Sequence, residues 1–303
     1  MWYNALSKTG KEGVQMRTVT LTHQPVTIQD DFDLDKILES GQCFRPRKLD
    51  DGRYRFLSGN ALLYLSPLGG GQYDAAWYGK DWDFWAGYFD LSRDYSALRR
   101  SLQGQSRYLD EALRFGSGIR ILRQDVWEML ITFLISQRKS IPAIRTAVEQ
   151  LAQHFGEHLL AEGDEVYLFP TAGQLSSRPE EALAACGLGY RTRYIQNAAA
   201  QAADGTLDLA ALETLPDDAL FDRLLTLDGV GRKVANCVCL FGYGRTAMAP
   251  IDVWIQRLID EEFNGLDPFP SYGQQAGIVQ QYLFYYKRSM SRKAHAEKNK
   301  KRG

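Results

Sequence analysis

The sequence predicts an α+β protein, with an N-terminal antiparallel sheet domain followed by an all-α body built on a helix-hairpin-helix. Three observations carry this. Short alternating runs separated by glycine-containing turns fill residues 17–90 and read as hairpins. From about Tyr95 the apolar period becomes helical and stays so. Between Leu220 and Phe241 two helical patterns flank the tight turn Asp228-Gly229-Val230-Gly231. The expected divisions are a sheet domain over 1–100 and a helical region over 101–290 with the hairpin at about 220–241. A basic, disordered tail is expected over 291–303.

Taken in order, Arg17 to Ile28 alternates through Val19, Leu21, Val26 and Ile28, broken by Pro25. A short helix over Asp33–Leu38 precedes Ser40-Gly41-Gln42-Cys43-Phe44. Strand-like runs follow at Tyr54–Leu57, Ala61–Leu65 and Tyr73–Tyr78, with turns at Asp51-Gly52, Ser58-Gly59 and Gly69-Gly70-Gly71. Trp77, Trp82, Phe84, Trp85, Tyr88 and Phe89 form an aromatic cluster, read here as packing against the sheet. Asp125 caps a helix bearing Val126, Met129, Leu130, Phe133 and Leu134 on one face. Ser140 caps the next, with Pro142 in its first turn. Pro179 opens a short helix ending at Gly187-Leu188-Gly189, and another runs from near Arg191 to Ala202.

The hairpin follows. Leu220–Leu227 carries Leu220, Leu224 and Leu225, and Arg232–Phe241 places Val234, Cys237, Val238 and Phe241 at helical spacing. Between them Gly229 and Gly231 leave amides bare at a helix N-terminus, where a phosphate binds well. Lys233 comes directly after, and Asp252 stands just past Pro250 at the start of the next helix, whose apolar face is Ile255, Leu258, Ile259 and Phe263. A lysine and a carboxylate here fit amine chemistry beside a bound phosphate backbone. Each also has a plainer role: a turn for the glycines, a solvated or phosphate-contacting lysine, an N-cap for Asp252 worth about 1 kcal/mol. The residues alone leave both readings open.

Composition narrows the class. At 303 residues, 45% hydrophobic and 24% charged, the chain reads as globular with a substantial core, and no apolar run reaches membrane-spanning length. The N-terminal stretch MWYNALSKTGKEGVQMR has no apolar signal core, so a cytoplasmic location is expected. Cys43, Cys186, Cys237 and Cys239 have neither zinc-finger nor iron–sulfur spacing, and His154 with His158 at i, i+4 reads as a surface pair, so no metal site is expected. The net charge of −1 is unevenly spread: from Lys287 onward eight Lys/Arg and one Glu give +7, which leaves −8 on the rest. Binding to nucleic acid would therefore rest on a local basic face and directed amides.

GVGRKVANCVCL followed by APIDVW resembles the 8-oxoguanine DNA glycosylase family. So do SGQCFRPR at Ser40–Arg47, GIRILRQDVWEMLITFLIS at Gly118–Ser136, GLGYRTRYI at Gly187–Ile195 and QQYLF at Gln280–Phe284, in the family's order over roughly residues 33–286. The resemblance implies Lys233 as nucleophile and Asp252 as its catalytic partner, and no organic cofactor. It implies Phe284 and Cys237 as the walls around an extruded base, the Gly41 carbonyl as acceptor of the N7 hydrogen that 8-oxoguanine has and guanine lacks, and Gln280 as reader of the Watson–Crick edge. Gly229, Val230 and Gly231 fall at the backbone-binding hairpin, and Tyr190 and Arg191 on the side of the orphaned opposite base.

The departures matter as well. Where eukaryotic members carry asparagines followed by an arginine, this chain has Gln137-Arg138-Lys139-Ser140, with Ala143 at the arginine's place. Arg138 and Lys139 are then candidates to fill the gap or to hold phosphates. Trp254 replaces a histidine that faces the DNA backbone in many relatives. This pattern is closer to the bacterial branch. The implied activity is removal of 8-oxoguanine from duplex DNA with associated β-elimination at the abasic site, by a monomer. The alternatives are a glycosylase for another damaged base and a non-catalytic helix-hairpin-helix DNA-binding module. The first lacks its usual marks here, since there is no four-cysteine cluster near the C-terminus and the lysine is present.

Overall fold

A computed structural model describes residues 16–300; the N-terminal stretch used in the export reading lies, up to residue 15, outside the described residues, as do 301–303. The chain opens with β1 (Arg17–Val19) and β2 (Thr22–Thr27), then α1 (Leu34–Glu39), capped by Asp33, whose carboxylate accepts from the Lys36 amide. β3 (Arg47–Lys48), β4 (Tyr54–Ser58), β5 (Ala61–Gly69) and β6 (Gln72–Tyr78) complete an antiparallel sheet of order β2-β6-β5-β4-β3. β5 is buried on both faces. Ala61, Leu63 and Leu65 pack with Phe56, Trp85, Tyr88 and Phe89, while Leu62 and Tyr64 pack on the opposite side with Leu57 and Ala76. The aromatic cluster is core, as expected: α2 (Trp82–Tyr88) lays Trp85 and Tyr88 on the sheet, and Phe56 meets Phe89 edge-on at 4.9 Å.

α3 (Tyr95–Leu102), α4 (Arg107–Phe115), α5 (Val126–Ser136) and α6 (Ile141–Phe155) follow, with Asp125 and Ser140 capping α5 and α6. α5 is buried from Glu128 to Ser136 and forms the axis of the helical body. The unbroken helical pattern expected after Tyr95 needs correction here. β7 (His158–Ala161) and β8 (Asp164–Tyr167) form a hairpin, and β1 pairs with β7 in parallel. Leu159, Ala161 and Val166 cover the second face of the large sheet beside Leu62 and Tyr64, which supplies the burial that such short strands need. The His154–His158 pair is also undone: His154 sits in the last turn of α6, and His158 leaves in β7 to stack on Tyr167 at 4.3 Å.

The remaining helices are α7 (Ala172–Ser176), α8 (Glu180–Ala184), α9 (Arg191–Ala203), α10 (Leu209–Leu212), α11 (Asp217–Leu225), α12 (Arg232–Phe241) and α13 (Val253–Glu262). α11 begins three residues earlier than its apolar pattern predicts, because Pro216 starts the helix and Asp217 and Asp218 suit its first turn. A 3-10 segment, Phe269–Gln275, leads into α14 (Ala276–Lys300). The expected disordered tail is instead helical as far as Lys300, since Arg, Lys, Ala and Glu are good helix formers that extend a helix already nucleated by a buried first half. No helix among the described residues is long and apolar enough to cross a membrane.

Candidate active site

The turn between α11 and α12 is shaped by its glycines. Gly229 has φ +77°, and a Cβ there would lie 2.4 Å from the Tyr194 ring, so α9 closes against bare backbone. Val230 is buried and its amide donates to the Leu227 carbonyl at 3.0 Å, fixing the turn. Gly231 is the N-cap of α12; it is exposed, offers no side-chain cap and has open space above its Cα. The first amides of α12 thus face outward at the positive end of a helix dipole, a site suited to an anion.

Lys233 is the second residue of α12. It is half-buried, its Nζ donates to Ser136 Oγ at 3.2 Å and lies 5.0 Å from the centroid of the Phe133 ring. Both partners come from the last turns of α5. Ser136 Oγ in turn donates to the Phe133 carbonyl at 2.7 Å, which leaves its lone pair aimed at the amine. Cys237 is one turn further along α12 and buried. Burial pushes its thiol up to about 11; Lys233 opposes this and Asp252 adds to it, so the three groups share one electrostatic neighbourhood. Asp252 caps α13, with Oδ1 accepting from the amides of Trp254 at 3.0 Å and Ile255 at 2.9 Å. The plainer N-cap role is therefore occupied, by one carboxylate oxygen. Trp254 is half-buried beneath the guanidinium of Arg257, 5.6 Å from its ring.

A second group assembles from opposite ends of the sequence. Gly41 has φ +87°, and a Cβ there would lie 2.9 Å from Phe284 Cε1 and 2.8 Å from Arg288 Nη1. The loop is held by Gln281, which donates to the Ser40 carbonyl at 2.8 Å, and by Gln42, which accepts from the Leu122 amide at 2.8 Å and donates to the Arg120 carbonyl at 2.9 Å. Gln280 is one turn before Phe284 on α14; it is 4% exposed, and its Oε1 has no hydrogen-bond partner among the described residues. A buried acceptor left open is costly unless something donates to it. Gly277 lets the first turn of α14 pack on α12, for a Cβ there would lie 2.7 Å from a Leu240 methyl.

The third group surrounds the end of α5. Tyr190 is exposed, with the Arg191 guanidinium 4.4 Å from its ring centroid. Arg191 itself is 6% exposed; its guanidinium donates to the Leu188 and Gln137 carbonyls, and its Nε has no partner among the described residues. Gln137 also donates to the Gly229 carbonyl at 3.1 Å, tying α5 to the hairpin. Arg138 is exposed at φ +51°, and the Lys139 amine donates to the Gly187 carbonyl. Burial, and then the nearby Arg191, hold that amine below its usual range. Ala143 presents no donor; its amide is the group that Ser140 caps. Sequence reasoning missed Ser136, Phe133 and Gln137, although the first two lie in a motif that it singled out. It also missed Arg288, whose signal was the i, i+4, i+8 stripe Gln280, Phe284, Arg288. Among the described residues no three His, Cys, Asp or Glu side chains gather as a metal ion requires.

Two family models match in succession: "8-oxoguanine DNA glycosylase, N-terminal domain" over residues 25–130 and "HhH-GPD superfamily base excision DNA repair protein" over residues 131–274. A solved structure of MBOgg1 in complex with a low-affinity DNA ligand is 35% identical, covers 90% of this chain and 100% of its own, and superposes with a TM-score of 0.81. The Clostridium acetobutylicum 8-oxoguanine glycosylase/lyase, in complex with duplex DNA containing cytosine opposite 8-oxoguanine, is 28% identical, covers 91% of this chain and 100% of its own, and has a TM-score of 0.81. An N-glycosylase/DNA lyase of Saccharomyces cerevisiae is 35% identical over 158 residues, which is 48% of this chain but 42% of the yeast protein's length.

Proposed function

This chain belongs to the 8-oxoguanine DNA glycosylase family, and from that premise we propose that it removes 8-oxoguanine from duplex DNA, with Lys233 as nucleophile and Asp252 as its partner. The bare N-terminus of α12 takes a backbone phosphate through the amides that follow Gly229, Val230 and Gly231. The damaged nucleotide is extruded into the space bounded by Cys237, Gln280, Phe284 and the Gly41 carbonyl. Tyr190, Arg138, Lys139 and Trp254 line the DNA around it, and Arg191 supports the same surface from within.

The observation that carries this reading is the setting of Lys233: an amine on a helix N-terminus, held by Ser136 Oγ at 3.2 Å, in one electrostatic neighbourhood with Asp252. The neutral amine attacks C1′ of the deoxyribose. The bond from C1′ to the base breaks, and the base departs with the electron pair and gains a proton. The ionised Asp252 stabilises the positive charge that develops on the sugar. Opening of the sugar ring leaves a Schiff base between Lys233 and C1′. Loss of a proton from C2′ then expels the 3′ phosphate and cuts the strand. The enzyme acts as a monomer in the compartment that holds the DNA, the bacterial cytoplasm.

Borohydride reduction on an 8-oxoguanine duplex tests the reading. The Schiff base should be trapped as a covalent complex, and Lys233→Gln should abolish trapping while still binding the lesion duplex. A Lys233→Gln protein that traps at the parent's level removes Lys233 from the mechanism. A parent chain that binds DNA and never traps or excises returns the reading to a non-catalytic module.

A further inference from the structure

The stripe that carries Gln280 and Phe284 continues one turn to Arg288, which is 8% exposed. Its Nη1 occupies the space where a Gly41 side chain would begin, 2.8 Å from that point, and its guanidinium lies 5.8 Å from the centroid of the Phe284 ring. The arginine is therefore built into the wall that Gly41 and Phe284 make. Among the described residues it has one hydrogen bond, from Nη1 to the Glu39 carbonyl at 3.2 Å, and no ion pair. Burial, followed by the neighbouring Arg292 and Arg145, pulls its guanidinium down to about 10. A planar cation with five donors, packed between Gly41 and Phe284 and next to Arg292 and Arg145 as well as Glu39, spends one donor on a protein carbonyl and keeps the others open to a further acceptor.

The chemistry of an oxidised purine supplies one. On the edge next to the sugar-bearing ring nitrogen, 8-oxoguanine offers an N7 hydrogen flanked by two carbonyl oxygens, at C8 and at C6. A site for that edge needs an acceptor for the hydrogen and a donor beside it. We infer that Arg288 is a second lesion-reading residue, donating from its guanidinium to a carbonyl oxygen that flanks the N7 hydrogen while the Gly41 carbonyl accepts the hydrogen itself. This rests on the glycosylase reading above and adds to it a residue that reads the lesion from the same wall. Oxygens at C8 and C6 are both acceptors, and the experiment separates them. Charge-assisted pairing to a buried acceptor is among the stronger hydrogen bonds, which makes the arginine a determinant of specificity and not a mere lining residue.

The test uses Arg288→Met and Arg288→Lys in the full chain, with single-turnover excision on an 8-oxoguanine duplex and strand cleavage on a preformed abasic duplex. Arg288→Met should slow excision by about tenfold to a hundredfold, the loss expected for one strong base contact. It should leave abasic cleavage unchanged, since that step involves no base, and Arg288→Lys should recover part of the excision. In a Lys233→Gln background, affinities for 8-oxoguanine and 8-oxoadenine duplexes assign the oxygen. Arg288→Met weakening both places the contact at C8, and weakening the first alone places it at C6. Excision at the parent rate overturns the proposal. So does an equal loss of excision and abasic cleavage, because that is the signature of a damaged fold. If the parent chain itself excises no 8-oxoguanine, the glycosylase reading fails first and this proposal falls with it.

Discussion

On the proposed mechanism Asp252 holds two jobs that one substitution can separate. Its Oδ1 accepts both the Trp254 and the Ile255 amides, and an asparagine offers the same carbonyl oxygen at the same place. Asp252→Asn therefore keeps both capping bonds and loses the charge. The stability cost is the charge–dipole term at the start of α13, about 0.3–1 kcal/mol. Asp252→Ala loses the cap as well, about 1 kcal/mol more, within a range of roughly 0.5–2. Excision depends on the carboxylate through its charge: removing a preorganised stabiliser of a developing cation costs on the order of 2.7 kcal/mol or more, roughly a hundredfold in rate. Urea unfolding and single-turnover excision, measured on the same preparations, should rank the proteins differently. Stability should order as parent, Asn, Ala with small steps, while excision should drop sharply at Asn and little further at Ala. An Asp252→Asn protein that excises at the parent rate, or whose loss of rate matches its unfolded fraction, refutes the catalytic role and leaves only the cap.

Glu128 is buried within α5, accepts from the Gly59 amide at 3.1 Å and has Arg45 Nη1 3.9 Å away. Burial pushes its carboxyl up to about 7 in the fold from an ordinary 4.5, so between those values the folded state holds a proton that the unfolded chain has released. Stability from this group is present below about pH 4.5 and is lost as pH rises through about 7. The melting temperature of the parent should fall relative to Glu128→Gln from pH 5 to 8, and parallel curves would contradict the sign. Gly229→Ala must displace the Tyr194 ring at 2.4 Å and hold a side chain at φ +77°; it should weaken duplex binding by about tenfold or more and cost at least about 1 kcal/mol in denaturant, whereas parent-like binding would detach the hairpin from DNA. Phe284→Ala should lower affinity for lesion duplex more than for undamaged duplex, and an equal loss on both would indicate core packing alone. Ala143 supplies no donor and Arg191 is committed to the Leu188 and Gln137 carbonyls, so excision opposite C, A, G and T should proceed at comparable rates; a hundredfold preference for cytosine, roughly 2.7 kcal/mol, rules this out.

The sheet and most helices were legible because their signals are local. Asp33, Asp125, Ser140 and Asp252 cap helices where their side chains predict it, and the Ala61–Leu65 run reads as a strand, as it is within β5. What the sequence withheld is mostly long-range. The pairing of Arg17 with Leu159 joins residues with no mutual signal, and the four-residue strands β7 and β8 are too short to show a period. The site divides in the same way. Lys233 and Asp252 are conspicuous through spacing and resemblance, while Arg288 was hidden inside a basic run that composition assigns to solvent. Arg191 shows the reverse. An arginine at a matching position reads as a free donor, but its burial is decided by where Leu188 and Gln137 place their carbonyls.

The bond between Ser40 and Gln281 spans 241 residues of chain, and it has a consequence for a protein that is made from one end. As the chain leaves the ribosome, Gly41 emerges early and Lys233 later, and both wait for α14. Until that helix arrives, the loop around Gly41 faces no phenylalanine and no arginine, and the pocket proposed for the lesion has no back wall. On the proposed assignment, an interrupted translation product that stops between Asp252 and Gln280 would carry the amine and its carboxylate without the cup that selects a damaged base. On that assignment vectorial synthesis delivers selectivity last, after the amine and the carboxylate have already been made.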